Sequence, residues 1–496
     1  MKKLPLALTA VTALSGSALA ADLPVRTYTK APVPIAVAPS WTGFYVFGGG
    51  GDGLWGAESN IVSKLDGSPV TRDQHLGGNG WFGTVGAGYD WQFAGPWVAG
   101  VFADGMFGSL KGSVTDPFPQ AEGTEKLRTT WAVGARAGYL VAPNVYSYVN
   151  AGYTGSEWSG AALSPLSGGG VEFNTPSFHR DGWFVGGGVE NSLNIFGVTA
   201  PGWFMKTEYR AAYFGRVTLP EIQADGTPFE SLTFKPWVQT ISTSLVYRFN
   251  SGSPTALAAD LPAHTYVKAP SRVAAPNWTG FYLFGGGGGA LWNADGSVVS
   301  NTFNIPSPRM SGDGWFGTVG AGYDWRFAGS WVAGVFGDGM FGSLKGSIID
   351  AVTTSEGTEK LRTAWAAGAR VGYLVAPNAL SYVNAGYTAS EWSGASHSLV
   401  SPGGPDLFTT PSFHRDGWFI GGGVENSLDI FGFTAPGLFM KTEYRAAYFD
   451  RVTLPEIGIS DGVPTGNSTT FKPWVQTIST SLVYRFNSDG PATTKY

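Results

Sequence analysis

Gly80–Trp91 reads GWFGTVGAGYDW, and the same string returns unbroken as Gly314–Trp325. Glycines and aromatic residues crowd the stretch, a composition that suits a twisted strand with tightly packed faces rather than a helix. The rest of the chain follows it. Trp41–Tyr45 (WTGFY) returns as Trp278–Tyr282, Lys206–Phe214 (KTEYRAAYF) as Lys441–Phe449, and Leu245–Asn250 (LVYRFN) as Leu482–Asn487. The offset is 234 residues at Gly80 and 237 at Trp41. Solenoid repeats run at roughly 20–50 residues, so a period this long marks a duplicated domain.

The first 20 residues have a secretory build. Lys2 and Lys3 form a positive start, Leu4 to Leu14 an apolar stretch, and Ala18-Leu19-Ala20 a small-residue cleavage site, placing the cut between Ala20 and Ala21. A membrane anchor needs roughly 20 apolar residues, and this stretch is shorter. The formal charge of −5 falls to −7 once Lys2 and Lys3 are removed. A mildly acidic chain argues against a nucleic-acid partner, which asks for a basic patch. With no cysteine, disulfides and Cys-based metal sites are excluded. No later run is apolar enough for a membrane helix, but a strand that meets lipid with every second residue gives a weak hydropathy signal.

Eight strand-like segments fit each half, at 41–55, 79–92, 97–110, 124–140, 145–159, 178–195, 202–217 and 234–249 in the first. Their length suits the roughly 9–11 tilted residues that cross a bilayer, plus an extension. Alternation assigns faces. Leu127, Thr129, Trp131, Val133, Ala135, Ala137 and Tyr139 oppose Arg128, Thr130, Ala132, Gly134, Arg136 and Gly138. Lys206, Glu208 and Arg210 oppose Met205, Thr207 and Tyr209, and Arg248 stands opposite Tyr247 and Phe249. A soluble sandwich would bury the apolar face, whereas an outer-membrane barrel turns it to lipid. The connections decide. Links 93–96, 142–144 and 195–202 are short, while 56–78, 111–123, 160–177 and 218–233 are long and polar, an asymmetry of such barrels. Trp41, Trp81, Trp91, Trp97, Trp183 and Trp237 fall near strand ends, where rings favour the membrane interface.

Each half resembles the small outer-membrane β-barrels of alphaproteobacteria, the opacity-like or RopB-type outer-membrane immunogenic proteins. WTGFY opening the first strand, GTVGAGYDW in the second, KTEYR in the seventh and LVYRF in the last carry the likeness. The family usually has one barrel and ends on its final aromatic. Here two are expected, with closing aromatics Tyr247, Phe249, Tyr484 and Phe486, and residues 487–496 follow. The resemblance implies an all-β, transmembrane, antiparallel up-and-down barrel. It implies a Gram-negative outer-membrane location reached through the general secretory route. Expected partners are outer-membrane lipid and lipopolysaccharide, periplasmic chaperones and the outer-membrane assembly machinery. No nucleic acid, cofactor or metal is expected.

The domain reading is therefore a signal peptide (1–20), a Pro/Ala-rich periplasmic lead-in (21–40), a first barrel (41–250), a linker (251–277), a second barrel (278–487) and a tail (488–496). One sixteen-stranded barrel is the alternative. The joint favours two, because Ala256–Pro262 repeats the cleavage-site residues Ala18–Pro24 and leaves slack that a merged barrel does not need.

Chemistry could reside in the charges expected inside. These are Asp104, Arg128, Arg136, Glu190, Lys206, Glu208, Arg210 and Arg248, matched by Asp338, Arg362, Arg370, Glu425, Lys441, Glu443, Arg445 and Arg485. Eight strands leave a lumen just wide enough for side chains, which makes a paired structural network the first reading and a pore lining or proton relay the second. The Lys206–Glu208–Arg210 face is expected to be internal and to pair with Arg128, Arg136 or Glu190. Gly48–Gly51 and Gly285–Gly289 lack the Lys-Ser/Thr and helix of a phosphate loop, and Gly83, Gly86 and Gly88 lack the helix of a dinucleotide fingerprint. His179 and His414 recur in Phe-His-Arg-Asp-Gly-Trp, and with Asp181 could suggest a hydrolase or a haem surface. Neither has a second His nearby or a framed Ser nucleophile, so no enzyme is expected. The leading function is a structural envelope protein and surface antigen, with a porin for small hydrophilic solutes as the alternative.

Overall fold

The computed structural model describes residues 40–193, 200–249, 277–428 and 435–486. The signal peptide with Ala20 and Ala21, nearly all of the lead-in and linker, the tail and most of the 195–202 turn lie outside these residues.

The first half contains β1 (Gly43–Val62), β2 (Gln74–Phe93), β3 (Trp97–Asp116), β4 (Ala121–Ala142), β5 (Val145–Trp158), β6 (Ala162–Pro165) and β7 (Phe173–Asn174). It continues with β8 (Phe178–Ser192), β9 (Trp203–Phe214), β10 (Val217–Gln223) and β11 (Pro228–Arg248). The second half repeats this as β12 (Gly280–Val299), β13 (Asn304–Phe327), β14 (Trp331–Asp350), β15 (Ser355–Ala376), β16 (Ala379–Trp392), β17 (Ala395–Leu399) and β18 (Asp406–Thr410). Then come β19 (Phe413–Ser427), β20 (Leu438–Phe449), β21 (Val452–Gly458) and β22 (Pro464–Arg485).

Antiparallel pairing runs β1–β2–β3–β4–β5–β8–β9–β11, and β11 returns to β1 with Val46 opposite Tyr247. The second ring, β12–β13–β14–β15–β16–β19–β20–β22, closes through Leu283 opposite Tyr484. A sixteen-stranded barrel would pair β11 with β12; β11 instead pairs with β1 and β9. The fold is two eight-stranded rings.

Strands reach further toward the long-loop end than the sequence reading placed them. The expected 111–123 loop shrinks to a turn between Asp116 and Ala121, and β1 and β2 take most of 56–78. Ladder hydrogen bonds outlast the bilayer there because β6, β7 and β10 add a small extension linking β4 to β11. At the other end Ala94 (φ 44°) and Gly95 (φ 76°) form the tight turn between β2 and β3. The glycine run Gly48–Gly51 lies wholly in β1, where a Cβ at Gly49 or Gly51 would collide with the β11 backbone at Thr243 or Ile241.

The outward face is apolar, with Val46, Val85, Val101, Val133, Val149, Val185 and Leu245 all exposed. Trp91, Trp97, Trp203 and Phe249 ring it near the short turns, and Trp81, Phe107, Trp131 and Trp183 nearer the long loops. Trp81 and Trp91 are ten residues apart on β2, the span of one bilayer crossing. Trp41 does not join these belts. It is buried, with its indole N–H on the Pro143 carbonyl at 2.9 Å, and Trp278 does the same with Pro377. Both rings stopper the short-turn end of the lumen, because an arginine lies over each.

Candidate functional site

The lumen is filled in layers. Nearest the short turns, β2, β4, β8 and β11 bring together Asp90, Arg136, Glu190 and Arg248. Arg136 reaches Asp90 at 2.6 Å and Glu190 at 3.1 Å, and Arg248 reaches the same two carboxylates at 2.7 Å each. The guanidinium groups also lie over aromatic faces, Arg136 on Tyr45 and Arg248 on Trp41, each 4.2 Å from the centroid. The second half repeats the square with Asp324, Arg370, Glu425 and Arg485. Two cations face two carboxylates in each, so the layer is neutral.

The next layer rests on β3 and β9. Arg210 makes a bidentate pair with Asp104 at 2.8 and 3.0 Å and touches Glu208 at 2.8 Å. Glu208 also accepts from Tyr148 at 2.7 Å and Asn150 at 2.9 Å, with Lys206 at 3.6 Å. Lys206 stands 3.4 Å from the centroid of the Phe47 ring. Asp338, Lys441, Glu443 and Arg445 copy this arrangement with Tyr382 and Asn384. This layer too balances two positive against two negative groups. Beyond it a small cavity edged by Thr84, Thr130, Thr154, Thr240 and Ser242 leaves about 40 Å³ for water centres, room for about three waters.

An aromatic layer lies above the cavity. Trp55 from β1 and Trp158 from β5, four strands apart around the ring, meet across the barrel at 5.6 Å. Phe178 stacks on Trp158 at 5.8 Å, and Phe234 touches both indoles. Trp292, Trp392, Phe413 and Phe471 form the same layer in the second half.

Arg128 and Arg362 are corrections. Both were expected inside, and both are exposed. A bulge explains it: Leu127 pairs with Trp158 and Thr129 with its neighbour Glu157, so β4 holds one extra residue there. The extra residue reverses the phase, bringing Leu127 inside and turning Arg128 out. The Lys206–Glu208–Arg210 face pairs within itself and with Asp104 rather than with Arg128, Arg136 or Glu190. Tyr247, Phe249, Tyr484 and Phe486 point outward, with Phe249 stacking edge-on with Tyr247 at 5.2 Å.

Sequence reasoning missed Asp90 and Asp324, which are fully buried and hold two arginines each. Their signal lay in the opening repeat, where each is the single charge, set between the outward Tyr89 and Trp91 or their copies. It also missed buried carboxyl pairs beyond the outer belt, Asp116 with Glu221 and Asp350 with Glu456. Burial raises all four carboxyls above the usual carboxylate range, and within each pair the acids interact. His179, His414 and Asp181 are exposed. Among the described residues no group of three or more His, Cys, Asp or Glu could hold a metal ion.

A closed antiparallel ring with an apolar outside, two aromatic belts and paired charges inside defines an integral outer-membrane barrel. Residues 6–249 match the family described as the outer membrane protein beta-barrel domain, and this half of the chain belongs to that family. The chain is 28% identical over 246 residues to the 31 kDa outer-membrane immunogenic proteins of Brucella melitensis biotype 1 and Brucella suis biovar 1, matching 47% of this chain and 94% of each relative. Among solved structures, a Pseudomonas aeruginosa FadL homologue aligns over 90% of both chains at 10% identity with a TM-score of 0.27. The protein resides in the outer membrane of a Gram-negative cell.

Proposed function

We propose that this protein stabilises the outer membrane and displays its long loops as surface antigens, with each lumen serving as structural filling rather than as a path for solutes. The observation that carries this reading is the Trp55–Trp158 contact, which spans the first barrel above two neutral, mutually paired charge layers. A porin needs an aqueous channel, which belongs to barrels of roughly sixteen strands. An enzyme or haem surface would gather acid and histidine in the loops, whereas His179 and Asp181 are both exposed on β8. In this reading the partners are outer-membrane lipid and lipopolysaccharide along the belts, with periplasmic chaperones and the assembly machinery acting during insertion. The long-loop end faces outward and the short-turn end faces the periplasm.

The test is conductance of the purified full chain in planar bilayers. Quiet traces, or steps far below a nanosiemens, are expected. Ohmic steps at the nanosiemens level, blocked from neither side, would overturn the structural reading in favour of a porin.

A further inference from the structure

The outward faces hold polar groups that the lumen does not explain. Asp52 lies opposite Trp81 in the β1–β2 register and shares its outward side, at the level of the outer aromatic belt. A carboxylate at that depth is costly unless covered. It is covered by the other half of the chain: Gln476 Nε2, from β22, donates to Asp52 Oδ2 at 2.9 Å.

The neighbouring contacts obey a rule. Leu76 and Met310 occupy the same position in the two repeats, and they are register partners in an antiparallel bridge between β2 and β13. The His75 amide donates to Ser347 Oγ at 2.8 Å. Its counterpart, the Arg309 amide, donates to the counterpart hydroxyl, Ser113 Oγ, also at 2.8 Å. Gln120 Nε2 donates to its own counterpart, Thr354 Oγ1, at 3.1 Å. Near the short turns Val141 and Val145 share one buried cluster with Val375 and Ala379, again their counterparts. Contacts in which i meets j′ and j meets i′ define a twofold axis. Two barrels that merely shared a tether would have no reason to match position for position.

The symmetry is broken where the two repeats differ in sequence, at Asp52, which is Gly289 in the second barrel, and at two glycines. Gly56 and Gly77 of the first barrel correspond to Asn293 and Ser311 of the second. Asn293 Nδ2 donates to the Gly78 carbonyl at 2.8 Å, and Ser311 Oγ to the Leu76 carbonyl at 2.7 Å; both side chains are fully buried. A Cβ at Gly77 would collide with the Asn293 carboxamide. The glycines of one barrel thus leave the space that the larger polar groups of the other fill.

We propose that the two barrels are docked through a lipid-free seam about this pseudo-twofold axis, the intramolecular form of a homodimer contact. The surface formed by the outer ends of β1, β2 and β3 takes a second copy of this barrel as its partner. Here the same chain supplies that copy: Asn293 and Ser311 adapt the second barrel to the first, and Asp52 adapts the first to Gln476.

The chain lacks cysteine, so introduced pairs report cleanly. In outer membranes carrying full-length Leu76→Cys with Met310→Cys, an added oxidant should close an intramolecular disulfide in most molecules, read as a mobility shift and a cross-linked tryptic peptide. Antiparallel partners lie within disulfide reach. Val149→Cys with Val383→Cys, equivalent exposed positions away from the seam, should stay open. A second pair in the loops, Gln120→Cys with Thr354→Cys, should be bridged by a short bis-maleimide should the first variant fail to fold. Adding Gly77→Val should lower Leu76–Met310 cross-linking at least tenfold while leaving each barrel's own ladder intact. If both pairs stay open while their thiols react freely with maleimide, or if cross-links form between chains instead of within one, the docked seam is wrong.

Discussion

Arg248 and Asp90 meet in the lumen at 2.7 Å although 158 residues separate them. Asp90 is near the end of β2, Arg248 ends β11, and β1 lies between them in the sheet. The pair therefore forms only once the last strand has closed on the first. Removing Asp90 would leave Arg136 and Arg248 sharing Glu190 alone, one uncompensated positive charge in the lumen, at a cost of about 3–5 kcal/mol for a broken buried pair. Asp90→Ala should lower the urea midpoint and the temperature at which the unboiled protein loses its folded migration on gels. Asp324→Ala should do the same through Arg370 and Arg485. An unaltered midpoint in both variants would mean the square contributes no stability.

Glu208→Ala removes the one acceptor shared by Lys206, Arg210, Tyr148 and Asn150. Its effect should exceed that of Arg128→Ala, since Arg128 is exposed. Heat-modifiable migration of the two variants makes the comparison, and equal shifts would contradict the phase reversal in β4.

Loop orientation is open to epitope tags. A tag within 160–177 should be detected on intact cells, and one at Asn144 only after permeabilisation. The opposite pattern would invert the barrel.

The carboxyl pairs Asp116–Glu221 and Asp350–Glu456 predict a pH effect with a definite sign. Burial raises these acids, so the folded loops prefer them protonated. Their stability contribution is full below the ordinary carboxylate range and is lost as pH rises through the raised values. Proteolysis of the long-loop end should quicken from mildly acidic to alkaline pH, and Asp116→Asn with Glu221→Gln should flatten the first half's response. Faster cleavage at low pH would reverse the assignment.

Period-two patterning was enough to place Lys206, Glu208 and Arg210 on one face, because β9 runs its whole length without a bulge. It failed at Arg128, where a single inserted residue changes the face and leaves no mark in residue type. It failed at Trp41 because an aromatic at a strand end suits either a membrane belt or a stopper under an arginine. Asp90 went unread for a different reason, since its partners come from strands far off in sequence and only ring closure assembles them. The seam was illegible for the same cause: Asn293, Ser311 and Gln476 acquire meaning only against the glycines and carboxylate of the other barrel.

Ring closure decides the architecture, and one cross-linking comparison tests it. In full-length protein, Tyr247→Cys is combined either with Val46→Cys, its partner in the first ring, or with Leu283→Cys, the equivalent position in β12. Two eight-stranded barrels predict a rapid disulfide with Val46→Cys and none with Leu283→Cys. A disulfide with Leu283→Cys and none with Val46→Cys would join β11 to β12, make one sixteen-stranded barrel, and reopen the lumen as a channel.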